Sequence, residues 1–263
     1  MLNIQQDLSA RESARAASET CDPVSLEIIR GAIAAAQSEM EALLERTAIS
    51  AFIREKKDFY TALFDAEGVM AVGSNVPIFG DICGPVFEHF PKETMNAGDL
   101  YWYNDCYGSR GAVSHSNDQV FLAPVFHEGR RCAFVMGWAH FADIGGLRPG
   151  SISPDATDIF QEGIIIPPTK LIDRGVTNTP TLDIFYRNSR YPETCRGDTR
   201  ALMASLGHGV RRMPEIVARF SADMLEDALA QLLARTEALV RQKLRETFPV
   251  GTHRFTDAID NDG

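Results

Sequence analysis

Two histidine–aspartate pairs share one spacing: His115-x-x-Asp118 and His140-x-x-Asp143. Neutral imidazole nitrogen and carboxylate oxygen are ligands for zinc, manganese or ferrous iron. Three such groups around an ion leave positions open, so that the ion can polarise a carbonyl or activate water. Taken singly, each of these residues would as readily cap a turn. The chain between them makes them a set.

Gln119–Phe126 and Arg131–Ala139 are apolar segments of strand length, separated by His127-Glu128-Gly129-Arg130. An antiparallel hairpin turning at residues 128–129 sets position 118 opposite about 139, and 115 opposite about 142. Both motifs then emerge at one end, and two imidazoles with up to two carboxylates converge there. Both arms are apolar on both faces, which predicts a place inside the sheet. Asp58 follows Lys56-Lys57 at the entry to another strand and is a further candidate ligand or base, as is Asp143.

The surrounding elements are legible from pattern. Asp22-Pro23 opens a helix running to about Thr47, with Leu26, Ile29, Ile33, Ala36, Met40 and Leu43 at helical spacing. Residues 59–66 and 69–72 form a hairpin about Glu67-Gly68, and Leu100–Tyr103 is a short strand. Residues 74–99 are loop-rich with one short helix. Residues 104–118 and 140–158 are long loops, as functional or mobile segments often are. From about residue 179 the chain is helical. Ser221 caps the last helix, Leu225, Leu229, Leu232, Leu239 and Leu244 mark its buried side, and Pro249 and Gly251 end it. His253–Ile259 is expected to start a strand, and residues 1–21 to form a flexible tail. The fold class is therefore α+β: a mixed, β-rich core with an N-terminal helix and a helical C-terminal third.

Composition narrows the function. The 263 residues carry a formal net charge of −10, the wrong sign for a nucleic-acid binder. Proline cuts the apolar run Ile164–Ile166 short of a membrane span, and the first twenty residues lack a signal core. Five widely spaced cysteines without C-x-x-C fit reduced thiols and a cytoplasmic chain. Walker A, G-x-G-x-x-G, G-x-S-x-G and H-E-x-x-H motifs are all missing, so any ATP-dependent function calls for a partner chain.

With these residues in view, the chain resembles the hydantoinase B/oxoprolinase family. The resemblance is carried by DPVSLEIIRGAI (22–33), IREKKDFYTALFDAEG (53–68), GDLYWYND (98–105) and the segment from His115 to Phe126. AHFADIGG (139–146), PGSISPDATDIFQEGIIIPPTKL (149–171), GDTRALMASLGHGVRR (197–212) and DAIDNDG (257–263) carry it further. It implies a hydantoinase B-like domain over residues 22–263 and a partner, an A-type subunit of actin-like ATPase fold that supplies the ATP chemistry. It implies ATP-dependent hydrolysis of cyclic amides such as hydantoins and 5-oxoproline. Through its acetone carboxylase branch it also implies a divalent metal held by His115, Asp118 and His140, and through its cyclic-amide hydrolases Asp58 as a further candidate ligand; Asp58 or Asp143 is then the expected extra ligand or base.

Some features depart from the family pattern. Cys106 follows Asn104-Asp105 where proline is common, and the path to His115 is longer. Phe141 stands where many members have a second histidine, and an aromatic there would suit a hydrophobic substrate. That keeps an acetone- or acetophenone-type carboxylase subunit as an alternative. Family members continue past the motif that matches Asp260–Gly263, so a separate chain supplying a second half is an expected partner. For the same reason a non-catalytic assembly subunit or split fragment is the alternative of another class.

Overall fold

The structure is a computed structural model describing residues 21–75, 80–150 and 153–257. A seven-stranded antiparallel sheet forms its centre, in the order β2-β1-β5-β4-β3-β6-β7. The strands are β1 (Phe59–Phe64), β2 (Met70–Gly73), β3 (Leu100–Tyr103), β4 (Asp118–His127), β5 (Arg130–His140), β6 (Thr169–Asp173) and β7 (Val176–Thr177). The helices are α1 (Pro23–Thr47), α2 (Ala51–Arg54), α3 (Gly84–His89), α4 (Thr179–Arg187), α5 (Pro192–Phe220) and α6 (Ala222–Thr247). The α+β architecture is as expected, with β4 and β5 in the middle of the sheet.

Their two-sided apolarity has a structural cause. Phe121, Ala123, Val125, Ala133, Val135 and Ala139 face the core shared with α1, α4, α5 and α6. The alternate residues Val120, Leu122, Phe134 and Met136 face a second core closed by Ile82, Cys83, Val86 and Met95. Period-two alternation thus buries both faces instead of exposing one. Helix α5 approaches β5 closely where the strand carries Gly137. A methyl group there would stand 2.8 and 2.9 Å from Leu206 and Leu202.

Helix α1 starts as its sequence dictates. The Asp22 carboxylate accepts from the N–H groups of Val24 and Ser25, and Pro23 occupies the first turn. Its buried stripe closes on Leu44, with Leu43 half-buried. Ser221 caps α6, its hydroxyl accepting from Met224 N–H. Leu225 and Leu229 are buried and Leu232 packs half-buried on the same core, but the expected stripe ends before Leu239 and Leu244, which are 58% and 52% exposed. Residues 252–257 form no strand, while Ile259, Asp260 and Asp262 lie outside the described residues. Residues 1–20 of the expected tail also lie outside them. Cys21 is buried, and its N–H donates to Asp227 at 2.8 Å. All five cysteines are free thiols.

Candidate metal centre

The β4–β5 turn is where expected. Glu128 and Gly129, with φ of 49° and 82°, join the paired His127 and Arg130. Both central residues having positive φ is the tight geometry that suits antiparallel strands. A bulge between Val125 and Phe126 then inserts one residue and moves the register. Asp118 consequently pairs with His140, not with residue 139. That one-residue shift sets an aspartate opposite a histidine at the end of the hairpin.

Strand β1 adds a third group. Phe59 pairs with Ala139, so Asp58 falls beside His140, whose N–H donates to the Asp58 carbonyl at 3.0 Å. His115 comes from the preceding loop, folded back by the bond from Asp118 N–H to the His115 carbonyl (3.2 Å).

Three donor atoms face one point. His140 Nδ1 is 3.1 Å from Asp118 Oδ1, His115 Nε2 is 3.3 Å from the same oxygen, and the two ring nitrogens are 3.0 Å apart. Asp58 Oδ2 stands 3.8 Å from His140 Nδ1. Two imidazole nitrogens cannot meet lone pair to lone pair beside a carboxylate; a shared proton or a cation must sit among them. The ~3 Å sides of the triangle suit donors that each stand about 2.0–2.2 Å from one ion. His140 is buried, Asp118 nearly so and His115 partly, which leaves one side accessible. The residues therefore fit a divalent metal.

The field inside the cluster is consistent with that fit. Burial pushes the Asp118 carboxyl up, but bonds from His115 and His140 outweigh it and hold the group below the ordinary carboxylate range. The bond to Asp118 raises the His115 imidazole above its usual value, against the opposing effect of burial.

Buried amides, which sequence reasoning missed, fix the loop. Asn117 donates to the carbonyls of Phe141 (2.9 Å) and Gly150 (3.0 Å), tying the two histidine segments together. Asn104 donates to Ser116 and Ile164 carbonyls, and Gln119 bridges the Ser116 carbonyl and the Trp102 indole. Asn117 and Gln119 flank Asp118 in the sequence, while Asn104 opens the same polar loop. Phe52, also unremarked, lays its ring 4.9 Å from that of His140.

The other sequence candidates go elsewhere. Asp143 is buried, and both its oxygens are engaged. Oδ1 accepts from Arg190 Nη1 (2.5 Å) and Gly145 N–H (3.3 Å). Oδ2 accepts from Arg190 N–H and the Ser189 hydroxyl. Phe141 does not line a substrate cavity. It is buried against Phe185, ring centroids 5.8 Å apart, because the residue after His140 points to the opposite face of the strand. Cys106 is half-buried, its sulfur 3.8 Å from the Ser116 hydroxyl.

The sequence pattern of the hydantoinase B/oxoprolinase family matches residues 22–263. The chain belongs to the hydantoinase B/oxoprolinase family. The beta chain of a caprolactamase from Pseudomonas jessenii is 30% identical over 93% of this chain and 42% of its own length. The crystal structure of the ATP-dependent caprolactamase superimposes with a TM-score of 0.80, covering 89% of this chain and 40% of that one, at 30% identity. The B-type component of a putative D-/L-hydantoinase from Pseudomonas sp. (strain NS671) is 32% identical over 91% of this chain and 41% of its own length. An acetophenone carboxylase delta subunit from Aromatoleum aromaticum is 27% identical over 77% of this chain and 30% of its own. This hydantoinase B/oxoprolinase chain thus spans about two-fifths of the length of the caprolactamase and hydantoinase relatives. Among its described residues no helix is long and apolar enough to cross a membrane.

Proposed function

We propose that this chain is the metal-bearing part of a B-type subunit of an ATP-dependent cyclic-amide hydrolase, working with an A-type, actin-like ATPase subunit. The observation that carries the reading is the His115–Asp118–His140 triangle, held by paired strands at one end of the sheet. These three residues would hold zinc, manganese or iron, and such an ion, when bound, would polarise a ring carbonyl or acidify a water.

The chain's own groups supply the rest. Asp58, with 42% of its side chain exposed and an oxygen beside His140, is placed to accept a proton from a nucleophilic water. Asp143 is assigned a positioning role, since Arg190, Ser189 and Gly145 occupy its oxygens and hold the loop after His140. Phe52 covers one face of His140 and limits solvent there. The partner would use ATP to phosphorylate the amide and so ready the carbonyl for attack.

What favours the hydrolase over a ketone carboxylase is the pair of amide-hydrolase names among relatives at 30–32% identity. The inward turn of Phe141 also removes the aromatic pocket wall that favoured a hydrophobic ketone. The test is ATP-dependent hydrolysis of hydantoin, 5-oxoproline and caprolactam by this chain with its A-type partner and added metal. Loss of hydrolysis in His115→Ala and Asp118→Ala supports the reading. Unchanged hydrolysis, or ATP turnover that needs bicarbonate and a ketone, refutes it.

A further inference from the structure

Residues 52–58 make a closed hook around His140. Asp58 N–H donates to the Phe52 carbonyl at 3.0 Å and Lys56 N–H to the Ala51 carbonyl at 3.1 Å. Lys57 takes a positive φ of 55° to turn the chain into β1. The hook lays Phe52 against the His140 ring and sets the Asp58 carboxylate beside its Nδ1. On the same hook the Lys56 ammonium stands 4.7 Å from the centroid of the Phe52 ring. The same aromatic ring therefore contacts both an exposed cation and the imidazole of the metal centre.

Of the basic residues on the hook, neither Arg54 nor Lys56 has a carboxylate partner among the described residues, and of these two it is Lys56 that is set on the Phe52 ring. Lys57 is paired with Glu45 at 3.3 Å, Arg190 with Asp143, and Arg148 with Asp155. An exposed ammonium on a ring gains only about 0.5–1 kcal/mol, so it can leave that face for a stronger anionic partner. Its flexible stem and compact charge suit a phosphoryl oxygen as a point-charge contact. The neighbouring charges at the centre, Asp58 and Asp118, are acidic and would repel an anion without a compensating cation.

We propose that Lys56 is the anion-binding residue of this centre, taking the phosphoryl group of an activated substrate while the His115–Asp118–His140 cluster faces its carbonyl. The proposal rests on the amide-hydrolase reading, in which ATP makes the substrate anionic before attack. It divides the hook into two tasks, with Asp58 receiving a proton and Lys56 anchoring charge.

The test uses the full chain loaded with Mn(II), metal content measured first, and inorganic phosphate as probe in calorimetric titration. Lys56→Gln is expected to weaken phosphate binding about tenfold at low salt, with metal content and melting temperature unchanged. Lys56→Arg keeps affinity within about twofold of the parent chain, because charge and reach are retained. The difference shrinks as salt is raised, and binding of caprolactam, a neutral lactam, does not change. Metal-loaded Lys56→Gln that binds phosphate like the parent chain overturns this proposal alone, as does an Arg variant as weak as the Gln variant. A parent chain that takes up no metal overturns the hydrolase reading and this proposal with it.

Discussion

Asp143→Ala separates a positioning aspartate from a ligand. Its carboxylate receives four hydrogen bonds, two of them from Arg190 and the others from Ser189 and Gly145. The Arg190 guanidinium is 42% exposed, so water replaces much of that contact and the exposed pair counts for about 0–1 kcal/mol. The Arg190 and Gly145 N–H groups lose their acceptor in a half-closed setting, at about 1–3 kcal/mol for a donor left unpaired. Together these give a loss near 3 kcal/mol, which for a chain of this size lowers the melting temperature by about 6–12 °C. Arg190→Ala should cost less, because the backbone N–H of residue 190 still reaches Asp143. Differential scanning calorimetry with metal analysis of the same samples reads both quantities. The reasoning predicts a lower melting temperature with metal per chain unchanged. A melting temperature within about 2 °C of the parent, together with loss of metal, would show that Asp143 is a ligand and refute it.

Further outcomes follow from other groups. Asp58→Asn should keep its metal but lower partner-dependent turnover by about 10²-fold or more, as for a lost general base; steady-state kinetics with metal analysis checks both. Burial alone would raise the Asp99 carboxyl, but Lys170, the N–H groups of Arg174 and Asn96 and the Tyr101 hydroxyl outweigh it and lower the value. A depressed carboxylate contributes fully above its unfolded value of about 3.9 and loses that contribution as pH falls through the folded value. Asp99→Asn should therefore be less stable at pH 7 by about 2–3 kcal/mol, with the gap to the parent closing below about pH 4 in urea titrations. Gly145→Ala should cost at least about 2 kcal/mol, because φ is +89° there and a Cβ would stand 2.3 Å from the Asn188 carbonyl oxygen; thermal melts measure this.

The sequence carried the site's composition further than its detail. Residue types and the apolar arms of β4 and β5 were enough to bring His115, Asp118 and His140 to one end of the sheet. The register was one residue out, since a bulge at Val125–Phe126 leaves no mark in a run that is apolar throughout. The place of Asp58 depended on β1 pairing with β5, a long-range choice that periodicity does not encode. Asp143 matched Asp118 in spacing from a histidine, yet Arg190, distant in sequence, engages it. Phe141 was read for chemistry, whereas strand alternation sends it into the core with Phe185. The leucine stripe of α6 ran on in the sequence beyond the point where the helix leaves the body of the protein, so Leu239 and Leu244 meet no core.

The central claim is that His115, Asp118 and His140 form one metal site. Inductively coupled plasma mass spectrometry on the purified full chain, dialysed after incubation with zinc, manganese or ferrous iron, tests it most directly. The account predicts about one ion per parent chain and almost none in Asp118→Ala or His140→Ala, with all three chains folded by circular dichroism. A parent chain that retains no metal, or variants that retain as much as the parent, would contradict it.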